Sequence, residues 1–391
     1  MPDMTHVKRV LIIRMSAIGD VVHALPLASA LKIAYPHLEI SWLVEEISAE
    51  LVEGNPYLDH VFVIPRSKWK KGRLSSPQVW RDYLAFINEL RKRNFDLTID
   101  LQGYAKSALI VAAIGARYRF GWWRLKDGAN LVSRPMAKRT ESLHRIDWFL
   151  DVARGLGVSN PIVKTSVPTT EASRSSIRQK LLEGGIEQNQ PYVVINQAAG
   201  NRPRQWAESN YVEVAIWLAE KCNLPCVLVG TQPEWETCER MRLEIQRAIC
   251  LNSETNVSPK SVVTLNFAGK TGLLELASLL EMSVLHLCGD TGSTHIAAAL
   301  GVPVVSFYGA SDPAHAGPWE QGQNVLSKRE LCHADCNVRT CFYATEQKSA
   351  EKSYNLAPVT ARCMDAITPL EAIEKIKMVL SQNRGGQTRK Q

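Results

Sequence analysis

The chain lacks any apolar run of the roughly 18–20 residues that a membrane-spanning helix needs. Its longest candidates, such as Ala108 to Ala116, have the length of buried core segments. A secretory leader is missing too. The apolar stretch Val10 to Ile13 behind Lys8-Arg9 is short and runs straight into Arg14 and the Gly19-Asp20 turn. These two absences predict a cytoplasmic protein. No Asp-x-Asp pair occurs that would hold a divalent ion beside a diphosphate, and Asp96 and Asp100 lie in or next to a buried strand. Metal-independent chemistry with no cofactor is therefore expected. No helix-turn-helix, RNA-binding or zinc-finger pattern accompanies the basic segments, which argues against a nucleic-acid partner. There is no short-period repeat.

Within 391 residues, 45% are hydrophobic and 22% charged, as in an ordinary globular protein, and the length favours two domains. The net charge of +7 is unevenly spread. Residues 1–168 hold 24 Lys and Arg against 16 Asp and Glu, while the remainder holds 22 against 23. A basic first half suits an anionic partner such as phosphorylated lipid or a membrane surface; a solvated basic face explains it equally well.

Short apolar strands alternate with amphipathic helices, the pattern of βαβ units on a parallel sheet. In the first half, strands are expected at Val10 to Arg14, Ile40 to Val44, His60 to Ile64 and Leu97 to Leu101. Helices are expected at Val21 to about Tyr35, Trp80 to Lys92 and Tyr104 to Ala113. A Ser/Thr/Pro-rich connection, Ser166 to Ser176, and a short charged helix lead into the second half. Strands follow at Tyr192 to Asn196, Cys226 to Val229, Val284 to Cys288 and Val304 to Phe307. The helices there are Tyr211 to Lys221, Leu273 to Leu280, Thr294 to Leu300 and Pro369 to Leu380. This is an α/β chain of two Rossmann-like, doubly wound domains facing a central cleft, which matches the GT-B architecture. The expected bounds are 1–170 and 185–365, then a C-terminal helix over 366–382 and a flexible tail over 383–391. Ligands on open α/β sheets bind outside the carboxyl ends of the strands, so the cleft is the expected site.

The sharpest local signal is Gly289-Asp290-Thr291-Gly292-Ser293-Thr294-His295, between a strand and a helix. Small residues let a ligand approach the backbone, and N–H groups at a helix start suit a diphosphate. The alternative is a plain turn with a Ser/Thr N-cap. Without a lysine it is not a Walker-type loop. Ser16-Ala17-Ile18-Gly19-Asp20 is its counterpart in the first half, where Asp20 either takes a proton from an acceptor hydroxyl or N-caps the following helix. Asn201-Arg202-Pro203-Arg204-Gln205-Trp206 places two guanidinium groups beyond a strand end, where they suit phosphate oxygens. Arg66 to Arg73 packs five cations into eight residues of an expected loop, either an anion clamp or an exposed basic segment. Cys332, Cys336, Cys341 and Cys363 lack the paired Cys-x2-Cys knuckles of a zinc ribbon and read as thiols, with a structural metal site as the alternative; Cys222, Cys226, Cys238, Cys250 and Cys288 read as thiols too.

From about Val10 to Pro313 the chain resembles glycosyltransferase family 9, the lipopolysaccharide heptosyltransferases. Arg14-Met15-Ser16-Ala17-Ile18-Gly19-Asp20-Val21-Val22-His23-Ala24-Leu25-Pro26 is similar to the N-terminal block, closer to type I than to type II. Trp42-Leu43-Val44-Glu45-Glu46, Asp100-Leu101-Gln102-Gly103, and Asp290-Thr291-Gly292 with His295, followed by Ala297 to Pro303, extend the likeness in order.

The resemblance implies an inverting transfer of heptose from an ADP-sugar to a Kdo sugar on lipid A; the basic charge of the first half suits a peripheral contact at the inner face of the membrane. It implies Asp20 as general base and, as donor-binding residues, Arg204 (lysine in the type I enzyme), Glu234, Lys270, Asp290, Thr291, Gly292 and His295. Glu234 would take the ribose hydroxyls, and Arg204, Lys270 and the Thr291-Gly292 backbone the diphosphate. Arg66, Lys68, Lys70 and Lys71 fall where the type I enzyme receives anionic acceptor groups. The arginine at 204 and the Cys332 to Cys363 group depart from the type I pattern. A family member using another nucleotide sugar or acceptor, a sugar-nucleotide epimerase of the same architecture, or a binding protein without turnover are the competing readings.

Overall fold

The computed structural model describes residues 1–71, 76–201, 204–251, 262–333, 336, 341 and 361–387; the side chains at 68, 70, 71 and 383–387 lie outside the described set. The chain divides into two compact units, Met1–Pro168 and Thr169–Gln391.

The first unit is built on strands β1 (Arg9–Ile13), β2 (Glu39–Glu45), β3 (His60–Ile64), β4 (Leu97–Asp100), β5 (Tyr118–Gly121) and β6 (Arg134–Pro135). They form one sheet in the order β3-β2-β1-β4-β5-β6, parallel at every pairing. Val10 to Ile13 are fully buried, as a parallel sheet covered on both faces requires. The crossovers are α1 (Ile18–Ala34), α2 (Arg66–Lys71), α3 (Pro77–Lys92), α4 (Ala105–Ile114) and α5 (Arg145–Gly155). An unbroken row of buried residues from Val21 to Leu31 sinks α1 between the sheet and α5. The sequence pattern misses β5, β6 and α5. The strands are too short to show a period, and β5 carries exposed Arg119 beside buried Phe120.

The segment from Arg66 to Lys71, expected as a loop, is helical. Its cations do not oppose a helix, since Lys and Arg are good helix formers. Anionic partners also meet its amino end, where they suit the helix dipole. The Ser67 N–H donates to Glu46 Oε2 at 3.0 Å, and Arg66 pairs with Glu45 at 2.6 Å. Lys106 on α4 reaches the same Glu45 carboxylate at 3.2 Å.

In the second unit, β7 (Val193–Asn196), β8 (Cys226–Leu228), β9 (Thr264–Asn266), β10 (Leu285–Gly289), β11 (Val304–Tyr308) and β12 (Val325–Ser327) form a second all-parallel sheet, β12-β11-β10-β7-β8-β9. Counted from its own first strand, each sheet has the doubly wound order 3-2-1-4-5-6, which reverses between its first and fourth strands. Helices α6 (Glu171–Glu183), α7 (Glu208–Cys222), α8 (Trp235–Leu251), α9 (Leu273–Glu281), α10 (Gly292–Ala299) and α11 (Pro313–Ala316) follow in order. The expected linker Ser166 to Ser176 is already helical from Glu171, capped by Thr170, whose Oγ1 accepts the Ser173 N–H at 3.1 Å. Helix α8 was legible but missed: Cys238, Met241, Ile245 and Ile249 recur at helical spacing and are buried. The C-terminal helix runs from Pro369 to Gln387, past the expected end at 382, and residues 388–391 lie outside the described set.

Trp206 anchors the second core. It stacks on Phe307 with centroids 3.9 Å apart, meets Tyr211 edge-on, and donates its Nε1–H to the Ile367 carbonyl at 2.8 Å. That bond ties the approach to the C-terminal helix onto the sheet. Trp206→Ala therefore removes packing and orphans a buried carbonyl, and it is expected to cost about 3–5 kcal/mol in denaturant unfolding; a loss below about 1 kcal/mol would contradict the assigned anchoring role. A second expectation concerns Glu45. Burial alone pushes its carboxyl up, but Arg66 and Lys106 outweigh that and hold it below the ordinary 4.5. A carboxyl lowered by folding contributes stability above its unfolded value and loses it as pH falls through the folded one. The stability gap between wild type and Glu45→Gln should be constant from neutral pH down to about 5.5 and shrink towards pH 3, as measured by urea titration. A gap that ignores pH would exclude the ion pairs as its source.

Candidate functional site

In the first unit the turn after β1 is held from across the switch point. Gln102, just past β4, accepts the Met15 N–H at 3.0 Å through Oε1. The N-cap of α1 is Ala17, so Asp20 lies inside the first turn and the reading of Asp20 as the capping residue is corrected. Its side chain serves ion pairs instead: Oδ2 meets Arg14 and Oδ1 meets Arg145. Arg14 is itself fixed. Its Nη1 donates to the Leu101 carbonyl at 2.6 Å, its own carbonyl accepts the Trp42 Nε1–H at 3.1 Å, and its guanidinium lies 5.6 Å from the Phe149 ring centroid. With 21% of its side chain exposed, Asp20 is oriented yet reachable by solvent.

The neighbouring acids are structural. Asp96 accepts the Lys8 and Arg9 N–H groups at 2.8 and 2.9 Å. Asp100 is fully buried and accepts the Gln102 and Gly103 N–H groups and the Ser107 hydroxyl at 3.0, 2.8 and 2.8 Å. Burial raises its pKa against those bonds. Of the basic segment, Arg66 is committed to Glu45, while the side chains of Lys68, Lys70 and Lys71 lie outside the described residues.

In the second unit the residues singled out by sequence follow successive strand ends along one carboxyl edge: Arg204 after β7, Glu234 after β8, Lys270 after β9 and Asp290 after β10. Arg204 pairs with Asp290 at 2.7 Å, and Ser311 beyond β11 donates to Asp290 Oδ2 at 2.6 Å. Arg202 is outside the described residues. Glu234 Oε2 accepts the Thr231 hydroxyl at 2.9 Å. The turns after β8 and β9 are joined by the Gly269 N–H to the Gly230 carbonyl at 2.9 Å. Gly269 has φ +70°, and a Cβ there would lie 2.8 Å from Gln232 Cα, so only glycine fits. Lys270 follows it, exposed. Thr291 is the N-cap of α10, Gly292 its first residue, and His295 is buried one turn on.

Arg14 and Arg145 on Asp20, and Ser311 on Asp290, escaped the sequence reading. Arg145 and Ser311 lie 125 and 21 residues from their partners, with no motif to link them. Arg14 sat inside the quoted block, but its type alone assigned it no role. The C-terminal cysteines do converge: Cys332 and Cys363 share a hydrogen bond, and burial pushes the Cys363 thiol up to about 12. Among the described residues, no three His, Cys, Asp or Glu side chains are grouped to hold a metal ion. Among the same residues, no helix is long and apolar enough to cross a membrane.

Against known proteins, lipopolysaccharide heptosyltransferase 1 of Pseudomonas aeruginosa is 26% identical over 376 residues, covering 95% of this chain and 98% of that relative. Lipopolysaccharide core heptosyltransferase OpsX of Haemophilus influenzae is 27% identical over 327 residues, covering 83% and 85%. Among solved structures, E. coli ADP-heptose lps heptosyltransferase II superposes with a TM-score of 0.70 at 20% identity, over 96% of this chain and 99% of that one. That likeness establishes the GT-B fold. The sequence profile of glycosyltransferase family 9 (heptosyltransferase) matches residues 83–346. With that match running through about two thirds of its length, the chain belongs to glycosyltransferase family 9, the heptosyltransferases, and is a glycosyltransferase.

Proposed function

We propose that this enzyme moves heptose from ADP-heptose to a Kdo-bearing lipid A acceptor, with inversion, as the type I member of its family. The observation that carries the reading is the setting of Asp20, an orientated and partly exposed carboxylate clamped by Arg14 and Arg145 at the carboxyl edge of the first sheet. Near-complete coverage of a heptosyltransferase 1 supports the subtype. Likeness to a lipopolysaccharide heptosyltransferase and to an ADP-heptose lps heptosyltransferase supports the donor and the acceptor class.

Displacement at an anomeric carbon builds positive charge on the sugar and negative charge on the departing diphosphate. Amides at the start of α10, with Arg204 and Lys270, supply fixed positive charge for the leaving group without reorganisation. Asp290 holds Arg204 in the meantime, so the guanidinium is already ordered when the diphosphate arrives. Glu234 takes ribose hydroxyls, and His295 backs the same loop. Asp20 removes the acceptor proton as the new glycosidic bond forms. An anionic acceptor and a contact with anionic lipid suit the basic first unit, where Arg66, Lys68, Lys70 and Lys71 contribute.

ADP release should require both ADP-heptose and Kdo-bearing lipid A when purified enzyme is offered a panel of nucleotide sugars and acceptors. Release with another pair would reassign the substrates, and conversion of donor without acceptor would indicate an epimerase. Asp20→Asn should cut turnover by about a thousandfold while ADP affinity stays within about threefold; full turnover in that variant would remove Asp20 as the base. Binding to anionic liposomes should weaken steeply as salt rises, and salt-insensitive binding would exclude an electrostatic contact.

A further inference from the structure

Two helices of the first unit turn large apolar side chains to solvent. Ile87 and Leu90 of α3 and Ile110, Val111 and Ile114 of α4 bury in one cluster with Leu11, Ile13 and Leu43 of β1 and β2. Both helices therefore cover the same face of the sheet, and their outer sides both point away from it. On α3 the exposed residues include Trp80, 53% exposed, and Leu84, 56% exposed, one turn apart. On α4 Leu109 is 67% exposed, with Ala105 and Ala112 exposed a turn to either side. One exposed leucine means little, since more than half of a soluble protein's surface is apolar. Aligned large side chains on two packed helices form a patch.

The polar residues bordering that patch on α3 are basic or neutral. At helical spacing Arg91 falls in line with Trp80 and Leu84, and Arg81, Asn88 and Lys92 form the ridge beside them, all exposed. The two acids of α3 stand elsewhere. Glu89 lies nine residues from Trp80, about two and a half turns on, and so on the opposite side of the helix. Asp82 is on that side too, where it accepts from Gln78 Nε2 at 2.7 Å. The indole of Trp80 meets Tyr83 edge-on with centroids 6.1 Å apart, and Tyr83 meets Trp69 of α2, so the exposed ring is footed on the packed layer.

An indole and a leucine bordered by arginine and lysine suit the interfacial zone of a bilayer. Apolar groups enter the boundary between headgroups and acyl chains there, and cations meet lipid phosphates. A second copy of the chain fits worse, because a symmetric contact brings Arg81, Arg91 and Lys92 of both copies together. We infer that the outer side of α3, extended by Leu109 on α4, is the surface by which the enzyme docks on an anionic membrane. Trp80 and Leu84 enter the interface, and Arg81, Arg91 and Lys92 stay at the level of the phosphates. This rests on the contact with anionic lipid proposed above, and it adds a place and a second force. The charge of the first unit draws the enzyme in; the apolar pair holds it.

Sedimentation of the full-length enzyme with vesicles of phosphatidylethanolamine and phosphatidylglycerol, free of any acceptor, tests the docking face. Trp80→Ala combined with Leu84→Ala should weaken binding about tenfold at every salt concentration and leave the salt dependence as steep as before. Arg81→Gln, Arg91→Gln and Lys92→Gln together should weaken it about fivefold per charge at low salt and flatten the salt dependence. In transfer assays the apolar double variant should keep wild-type turnover on a soluble acceptor stripped of its acyl chains. Its KM should rise for acceptor embedded in vesicles. These positions are all exposed, so melting temperatures should stay near wild type; should the apolar double variant not fold, Leu84→Ser and the charge variant decide. Vesicle binding that survives the apolar changes overturns the docking face and leaves the transfer reaction standing. So does an oligomer that those changes dissolve while vesicle binding persists. Wild-type enzyme that ignores vesicles overturns both the face and the lipid contact. Vesicle binding with the expected losses, but no ADP release on any Kdo-bearing acceptor, keeps the face and removes the proposed reaction.

Discussion

A parallel sheet whose strand order reverses beside its first strand is the constraint on which the rest of each unit depends. In the first sheet β1 is flanked by β2 and β4, and in the second β7 is flanked by β8 and β10. The connections leaving such a pair run to opposite sides, so neither covers the gap between the strand ends. The backbone there must still be satisfied. In the first unit Gln102 supplies an acceptor to the turn after β1. In the second, Asn196 reaches from β7 to Ser293 on α10. Side chains just past the strands thus do work that hydrogen bonds of regular structure do elsewhere.

The two edges use the same topology for opposite purposes. The first presents an acid whose two oxygens are each held by an arginine. The second presents a helix start beside Asp290, an acid paired with Arg204 and bonded by Ser311. On the proposed role of Asp20, holding it rigidly has a chemical value beyond stability, since a base must meet its proton within hydrogen-bond reach. Clamping from both sides restricts the carboxylate rotamer while leaving part of it open to solvent. An N-cap role would have turned it onto its own helix instead.

Much of this was legible in sequence, and the misses have physical causes. A strand such as Val10 to Ile13 stands out because both faces are buried and the residues are apolar without interruption. Short edge strands such as Arg134–Pro135 carry no period at all, and a helix of cations at Arg66–Lys71 looks like a loop when charge is taken for exposure. At the candidate site, motif residues contiguous in sequence, such as Asp290-Thr291-Gly292, could be singled out. Partners that only the fold brings together could not. Arg145 pairs with Asp20 from α5, a helix that periodicity did not reveal. What sequence shows least is the direction of a hydrogen bond, because that depends on the partner of the partner.

Placement matters more than total charge for the same reason. The second unit has 22 basic against 23 acidic residues, yet it is the one proposed to hold a diphosphate. A diphosphate is small, and charges beyond about a Debye length of 8–10 Å are screened, so net charge across a domain contributes little to its binding. On the proposed reading a few ordered donors decide it, among them Arg204, preset by Asp290, and amides at the start of α10. The excess of eight positive charges in residues 1–168 acts differently. Spread over a surface, it can draw in a large anionic partner without arranging any one atom of it. Diffuse charge thus suits capture of an extended lipid-linked acceptor. Directed hydrogen bonds suit the compact donor, whose leaving group must be stabilised at a single place and moment.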